Sequence, residues 1–229
     1  MSLSISCVDT LNYEGSYHAI RRTLETLGNK VDVVYWYSDK PLPKMNVPVK
    51  WTKIEPMSGQ NDYSYVTLNI CPTVCKSDYD LIVQWDGYAC NPDAWTDEFL
   101  EYDYIGATWD DGEVGNGGFS LRSKKLYKAM RELEVKHLFT DFPIELVDRQ
   151  YYHTTTENGQ KFVPEDVVIC RLYKEELEKL GIRYAPNSLA DRFSIENHSH
   201  IPPWRASPNP WLGTSLGFHG KFGIRNYYK

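Results

Sequence analysis

Four short segments hold side chains that could do chemistry together. Gln84-Trp-Asp-Gly87 sets an acid directly after the apolar run Asp80-Leu-Ile-Val-Gln84. Asp86 there suits a hard oxygen ligand for Mg²⁺ or Mn²⁺ that bridges to phosphate oxygens. A lone acid after a strand is also a common turn or cap residue. Gly87 allows the sharp departure that would aim the carboxylate into a cleft. Gly115-Asn-Gly-Gly-Phe119 lets backbone approach a ligand closely, with amides turned to an anion or hydroxyl; a tight turn is the plainer account. Its spacing matches neither a dinucleotide fingerprint nor a P-loop. Glu165-Asp166 offers a carboxylate that could take a proton from an acceptor hydroxyl, its neighbour fixing geometry, or two acids that simply open a helix. His219 lies between Gly217-Phe218 and Gly220, as a surface residue or as a nitrogen ligand that joins Asp86 on Mn²⁺.

Strands and helices must bring these segments together. Leu3–Val8 alternates as a strand, Ser16–Leu27 has apolar residues at helical spacing and stops at Gly28-Asn29, and Val31–Trp36 is a second strand. Strand, helix, strand in about thirty residues is a βαβ unit, which implies a parallel sheet covered by helices. Pro41 to Pro56 reads as an irregular connection with a short strand at Val49–Ile54, and Tyr63–Cys75 as a helix bent or ended by Pro72. Asp80–Gln84 is a buried central strand, so Asp86 falls at its carboxyl end, where α/β proteins keep their ligands. Tyr102–Ala107 reads as another strand, Lys124–Leu133 and Val167–Leu180 as helices, the latter ended by Gly181. The last thirty residues, rich in Pro and Trp, read as an extended tail with a turn at Gly217–Gly220.

The 229 residues carry a net charge of -6, which disfavours nonspecific binding to nucleic acid despite a modest basic run of Arg122, Lys124, Lys125 and Arg131. Five scattered cysteines lack zinc-site spacing and are expected as reduced thiols in a cytoplasmic protein, and His198 and His200 receive no metal role. No stretch has the length and apolarity of a signal peptide or membrane span. Seventeen tyrosines and seven tryptophans exceed the needs of a core and point to an aromatic-lined groove.

In order and spacing, Gln84-Trp-Asp-Gly87, Asn91-Pro-Asp-Ala-Trp95, Tyr102-Asp-Tyr-Ile-Gly-Ala107, Val114–Ser123, Pro164-Glu-Asp-Val167 and Gly217-Phe-His-Gly220 resemble the DUF5672 family of glycosyltransferase-like proteins. More broadly the layout resembles a GT-A glycosyltransferase. The resemblance implies one α/β domain over residues 1–229, with a central, mostly parallel sheet flanked by helices and a wrapping C-terminal tail. It implies transfer of a sugar from a nucleoside-diphosphate sugar to a hydroxyl, by inversion and with Mn²⁺ or Mg²⁺. Asp86 and His219 then hold metal, with Gln84 standing where the usual first acid of the metal motif would be. Asp166 is the base, with Glu165 as alternative or positioning group. Asn116, Gly117 and Gly118 lie beside donor sugar and acceptor, and Val8, Asp9, Thr10 and Tyr13 form the nucleotide pocket beside Gln84 and Trp85. Trp85, Trp109 and Phe119 are the expected apolar wall for sugar, with Trp95 either there or locking a loop, and Arg21 or Arg22 either meets diphosphate or lies on a solvated helix face. The expected acceptor is a glycan, a lipid-linked saccharide or a protein hydroxyl, met in the cytoplasm or at a membrane surface. A metal-dependent nucleotide-sugar hydrolase or phosphotransferase, and a noncatalytic carbohydrate- or nucleotide-binding protein, are the competing functions.

Overall fold

The computed structural model describes residues 1–109, 111–136, 155–157, 160–196 and 214–220. Six strands form the central sheet: β1 (Leu3–Val8), β2 (Val31–Ser38), β3 (Val49–Lys53), β4 (Tyr79–Ile82), β6 (Tyr104–Ile105) and β7 (Ser120–Ser123), in the order β3-β2-β1-β4-β7-β6. β1 runs parallel to β2 and β4, and β2 parallel to β3, whereas β7 is antiparallel to both β4 and β6. The chain is thus a mixed, mostly parallel α/β domain of GT-A-like architecture. Its strand order changes direction between β1 and β4, because the chain winds outward through β2 and β3 and then returns to the other side of β1. That switch point leaves a crevice at the carboxyl ends of the two strands.

Helix α1 (Tyr13–Leu27) begins earlier than its apolar spacing predicts, because the Asn12 side chain accepts from the Gly15 amide and caps it. It ends at Gly28, whose φ of 57° favours glycine. Gln60–Tyr65 forms α2 and Cys71–Val74 forms α3, joined through Val66–Ile70, where the Cys71 amide reaches the Val66 carbonyl five residues back. Pro72 cannot donate to a carbonyl four residues back, and the widened turn absorbs this without breaking the rod.

The expected helix over Val167–Leu180 is two pieces. α5 (Glu165–Val167) passes into a second widened turn over Val168–Leu172, and α6 (Lys174–Lys179) follows, with Gly181 at φ 80° ending it as anticipated. α4 (Lys124–Glu132) and α7 (Asn187–Phe193) complete the helices, and β8 (Thr155–Glu157) pairs with β9 (Gln160–Phe162) in a hairpin. Among the described residues no helix is long and apolar enough to cross a membrane.

β7 escapes a reading of the sequence because Ser-Leu-Arg-Ser has only one apolar residue. The structure buries it whole, Arg122 included, so Arg122 belongs to no surface basic run. The Gly217–Gly220 segment is a strand rather than a turn: β11 (Gly217–His219) lies between β10 (Ser194–Glu196) and β5 (Gly87–Ala89) in a second, three-stranded sheet. Residues 197–213 and 221–229, with His198 and His200, lie outside the described residues. All five cysteines are free.

Candidate active site

A cavity of about 300 Å³ opens at the carboxyl ends of β1 and β4, lined by Val8, Asp9, Leu11, Met57, Gly59, Gln60, Tyr63, Gln84, Trp85, Asp86, Gly118, Glu165, Asp166 and His219. Just after β4 the chain makes a tight turn. The amide of each of Gln84 and Gly87 donates to the other's carbonyl, at 2.8 and 3.0 Å, which puts Trp85 and Asp86 at the tip. From Gly87 the chain enters β5, where Gly87 lies opposite His219 of β11, and the Gly220 amide donates to the Asp86 carbonyl at 2.7 Å. The distant C-terminal strand is therefore stitched to the turn that carries the acid.

The His219 imidazole faces three side chains. Its Nε2 lies 3.1 Å from Gln84 Oε1 and 3.9 Å from Asp86 Oδ1, and its Nδ1 lies 3.4 Å from Glu196 Oε1. Burial pulls the ring toward neutrality, but Glu196, Asp86 and Asp166 together outweigh it and hold its proton above the ordinary histidine range.

Another part of the lining is the acid pair at the start of α5. Glu165 Oε1 is 3.0 Å from Arg122 Nη2, and both side chains are buried. Asp166 accepts from the Gly117 amide at 3.0 Å and from its neighbour Val167 at 2.8 Å. Burial raises both carboxyls. In Glu165, burial and the adjacent Asp166 push the group up to about 7 against the pull of Arg122; in Asp166 the two amides hold back part of the rise.

The glycines explain how these walls meet. A Cβ on Gly117 would lie 2.0 Å from Glu165 Oε1, and one on Gly118 would lie 2.1 Å from His219 Nε2. The close approach expected of this segment is thus made by the protein's own acid pair and imidazole. The Gly117 amide is already engaged by Asp166, and that of Gly118 by Asn116 Oδ1.

Val8, Asp9, Gln84, Trp85, Asp86, Gly118, Glu165, Asp166 and His219 thus share one cavity. Asp9 lines it with its oxygens taken: Oδ1 accepts from the Leu11 and Asn12 amides, and Oδ2 from Ser16. Thr10, Tyr13, Asn116 and Gly117 are not among the lining residues. Thr10 accepts from the Met57 amide, and Tyr13 donates to the Pro41 carbonyl while its ring meets Trp36 edge-on. Asn116 is buried behind Gly118.

Two of the three aromatics expected against sugar lie elsewhere. Phe119 is fully buried and stacked on Phe193, and Trp109 packs on Gly115 beneath the Arg171 guanidinium. Trp95 packs edge-on against Phe99 and donates to Asp97, which locks its loop. Arg21 and Arg22 pair with Glu25 on an exposed helix face.

The sequence reading missed the wall from Met57 to Tyr63. The lining residues Met57, Gly59, Gln60 and Tyr63 straddle an irregular connection and the first turn of α2, with no acid or base among them. Among the described residues no three His, Cys, Asp or Glu side chains form a metal cluster.

A family model described as a protein of unknown function, DUF5672, matches residues 47–211. No curated protein matches the chain in sequence. The fold is shared with three glycosyltransferases of known structure. The apo-form glycosyltransferase GlyE of Streptococcus pneumoniae TIGR4 is 11% identical at a TM-score of 0.58, over 96% of this chain and 54% of its own, so the present chain spans about half of that protein. The galactosyltransferase LgtC, in complex with donor and acceptor sugar analogs, is 13% identical at 0.56, over 95% of this chain and 87% of its own. A glycosyltransferase involved in glycosylation of the major capsid of PBCV-1 is 10% identical at 0.52, over 96% and 93%.

Proposed function

The chain belongs to the DUF5672 family, and from that membership and its GT-A-like fold we propose that it is a glycosyltransferase acting on a nucleoside-diphosphate sugar. One observation carries the reading. The switch-point cavity gathers Asp86 and His219 with the Glu165–Asp166 pair, which gives a donor diphosphate and an acceptor hydroxyl a group each.

In the proposed reaction the acceptor oxygen forms a bond to the anomeric carbon while the bond from that carbon to the diphosphate oxygen breaks. The electron pair leaves on the nucleoside diphosphate, and the acceptor proton passes to Asp166. Direct displacement of this kind inverts the anomeric centre. The acceptor hydroxyl belongs to a glycan, a lipid-linked saccharide or a protein. Glu165 is tied to Arg122, which leaves Asp166 as the better base.

The lining charges favour a divalent ion. Four acids and one histidine face the cavity, and among the described residues no lysine or arginine lines it, so a diphosphate needs a counter-cation. Asp86 and His219, one oxygen and one nitrogen 3.9 Å apart, would hold that ion, with diphosphate oxygens as further ligands. When bound, Mn²⁺ or Mg²⁺ neutralises charge growing on the leaving diphosphate.

Calorimetric titration with UDP, GDP, CDP and their common sugar conjugates, each with and without Mn²⁺, tests the reading. Metal-dependent binding of one nucleotide class is expected. A folded protein that binds none of them overturns the reading in favour of a noncatalytic scaffold.

A further inference from the structure

Arg122 has the marks of a functional residue without touching the cavity. It is fully buried in the middle of β7, between Asp80 of β4 and Tyr104 of β6 in register, with its guanidinium 5.6 Å from the centre of the Tyr104 ring. Burying a guanidinium is expensive unless its donors are used. Here Nη2 donates to Glu165 Oε1 at 3.0 Å and to the Gly117 carbonyl at 3.5 Å, and Nε donates to Ser120 Oγ at 3.1 Å, while Nη1 is buried without a hydrogen-bond partner. Ser120 in turn donates to the same Gly117 carbonyl at 2.9 Å. The peptide unit on the carbonyl side of Gly117 is thereby pinned to β7, and its amide on the other side holds Asp166. The residue next to Asp166 is pinned by the same guanidinium.

Resting on the transferase reading above, we propose that Arg122 is a positioning residue for the base. Through Glu165 on one side and Ser120 and Gly117 on the other, it fixes where the Asp166 carboxylate stands relative to the cavity. A lysine could satisfy the charge of Glu165 but lacks the planar fork that reaches Ser120 as well, which accounts for arginine at this position. The proposal also gives Gly117 its reason. Any side chain there would occupy the space through which Arg122 and Glu165 meet, since a Cβ would lie 2.9 Å from Nη2 as well as 2.0 Å from Oε1.

The test uses the full chain and four variants: Arg122→Lys, Ser120→Ala, Glu165→Gln and Asp166→Asn. Two readouts are taken for each. The first is hydrogen exchange of the Gly117 amide by NMR, which needs no substrate; the second is release of UDP or GDP from UDP-glucose, UDP-galactose and GDP-mannose with Mn²⁺. In Arg122→Lys and Ser120→Ala the Gly117 amide is expected to exchange about tenfold faster, the loss of roughly one hydrogen bond's worth of protection. Turnover is expected to fall on the order of 10²-fold in kcat in Arg122→Lys, with the donor KM within about twofold of wild type.

Wild-type exchange together with wild-type kcat in folded Arg122→Lys and Ser120→Ala overturns the proposal, as does faster exchange with unchanged kcat. Ser120→Ala removes a single hydroxyl, so it keeps the test open if Arg122→Lys does not fold. Full turnover in Asp166→Asn sinks the base assignment itself. An inactive Asp166→Asn beside fully active Arg122→Lys and Ser120→Ala overturns the positioning role alone.

Discussion

Gly118 and His219 stand so close that a Cβ on the glycine would lie 2.1 Å from the imidazole Nε2 and 2.2 Å from Cδ2. The obstructing atoms are the far end of a side chain, so Gly118→Ala is expected to displace the ring rather than unfold the domain, at a cost of about 1–3 kcal/mol. With the ring displaced, the Mn²⁺ concentration needed for half-maximal nucleotide binding should rise about tenfold or more. Calorimetry at fixed UDP or GDP and varied Mn²⁺ checks it; wild-type metal dependence in the folded variant removes His219 from the metal site.

The buried Arg122–Glu165 pair predicts a pH-dependent cost of breaking it. Glu165 is raised from 4.5 to about 7, so the stability its protonated form contributes is present below 4.5 and is lost as pH rises through 7. At pH 8 Glu165 is ionised and needs its partner, and Arg122→Met should cost about 3–5 kcal/mol. At pH 5 the carboxyl takes a proton instead, and the cost should shrink. Urea unfolding at the two pH values decides, with equal costs counting against the arrangement.

Asp166 must be ionised to act as a base, and its burial sets where that happens. Because its carboxyl lies above the ordinary 3.8, turnover should fall on the acid side at a pH higher than an exposed aspartate would give. Glu196 is the negative charge that adds to the rise, so Glu196→Gln should move this limb to lower pH. Asp166→Asn should lower kcat by about 10²-fold or more while nucleotide affinity stays within about twofold. A pH–rate profile of the three proteins tests all of this, and an unmoved limb in Glu196→Gln would count against the Glu196 contribution.

Asp80 is an acid with a structural duty. It is almost fully buried, with Oδ1 accepting from Ser4 and Ser6 at 2.7 and 2.8 Å and Oδ2 from Tyr127 at 2.8 Å, and burial outweighs these bonds and raises its carboxyl. Asp80→Leu would strand the Ser6 and Tyr127 hydroxyls, while Ser4 keeps the Tyr79 carbonyl at 3.3 Å, and is expected to destabilise the domain by about 3 kcal/mol or more. It does not line the cavity, so nucleotide binding by the folded fraction should be unchanged. A drop in affinity measured below the unfolding transition would contradict this.

The parallel half of the sheet is legible from local pattern alone. Leu3–Val8 reads as the strand it is, since every residue is apolar or small and the run ends in turn formers. β7 is not legible, because its stability comes from partners far away: Arg122 is tolerated in a central strand only because Glu165, forty-three residues later, meets it. β11 is hidden for the same reason, as two of its three residues, Gly217 and His219, fit a strand only between β10 and β5. The glycine-rich segment announces close approach but not what approaches. A sequence shows that a Cβ is missing; only packing shows that Glu165 and His219 fill the space.

The pairing of β11 with β5 sets the order in which this protein can come into being. Gln84 and His219 touch across 135 positions of chain, and His219 is held by β11, which follows every strand of the main sheet. During synthesis the six strands of the main sheet are all available well before Gly217 leaves the ribosome, so the scaffold can close first and the cavity last. A chain stopped just short of Gly217 would keep every strand of the large sheet and lack the wall that faces Asp86. Assembly of the site therefore waits on a strand made long after the scaffold it completes.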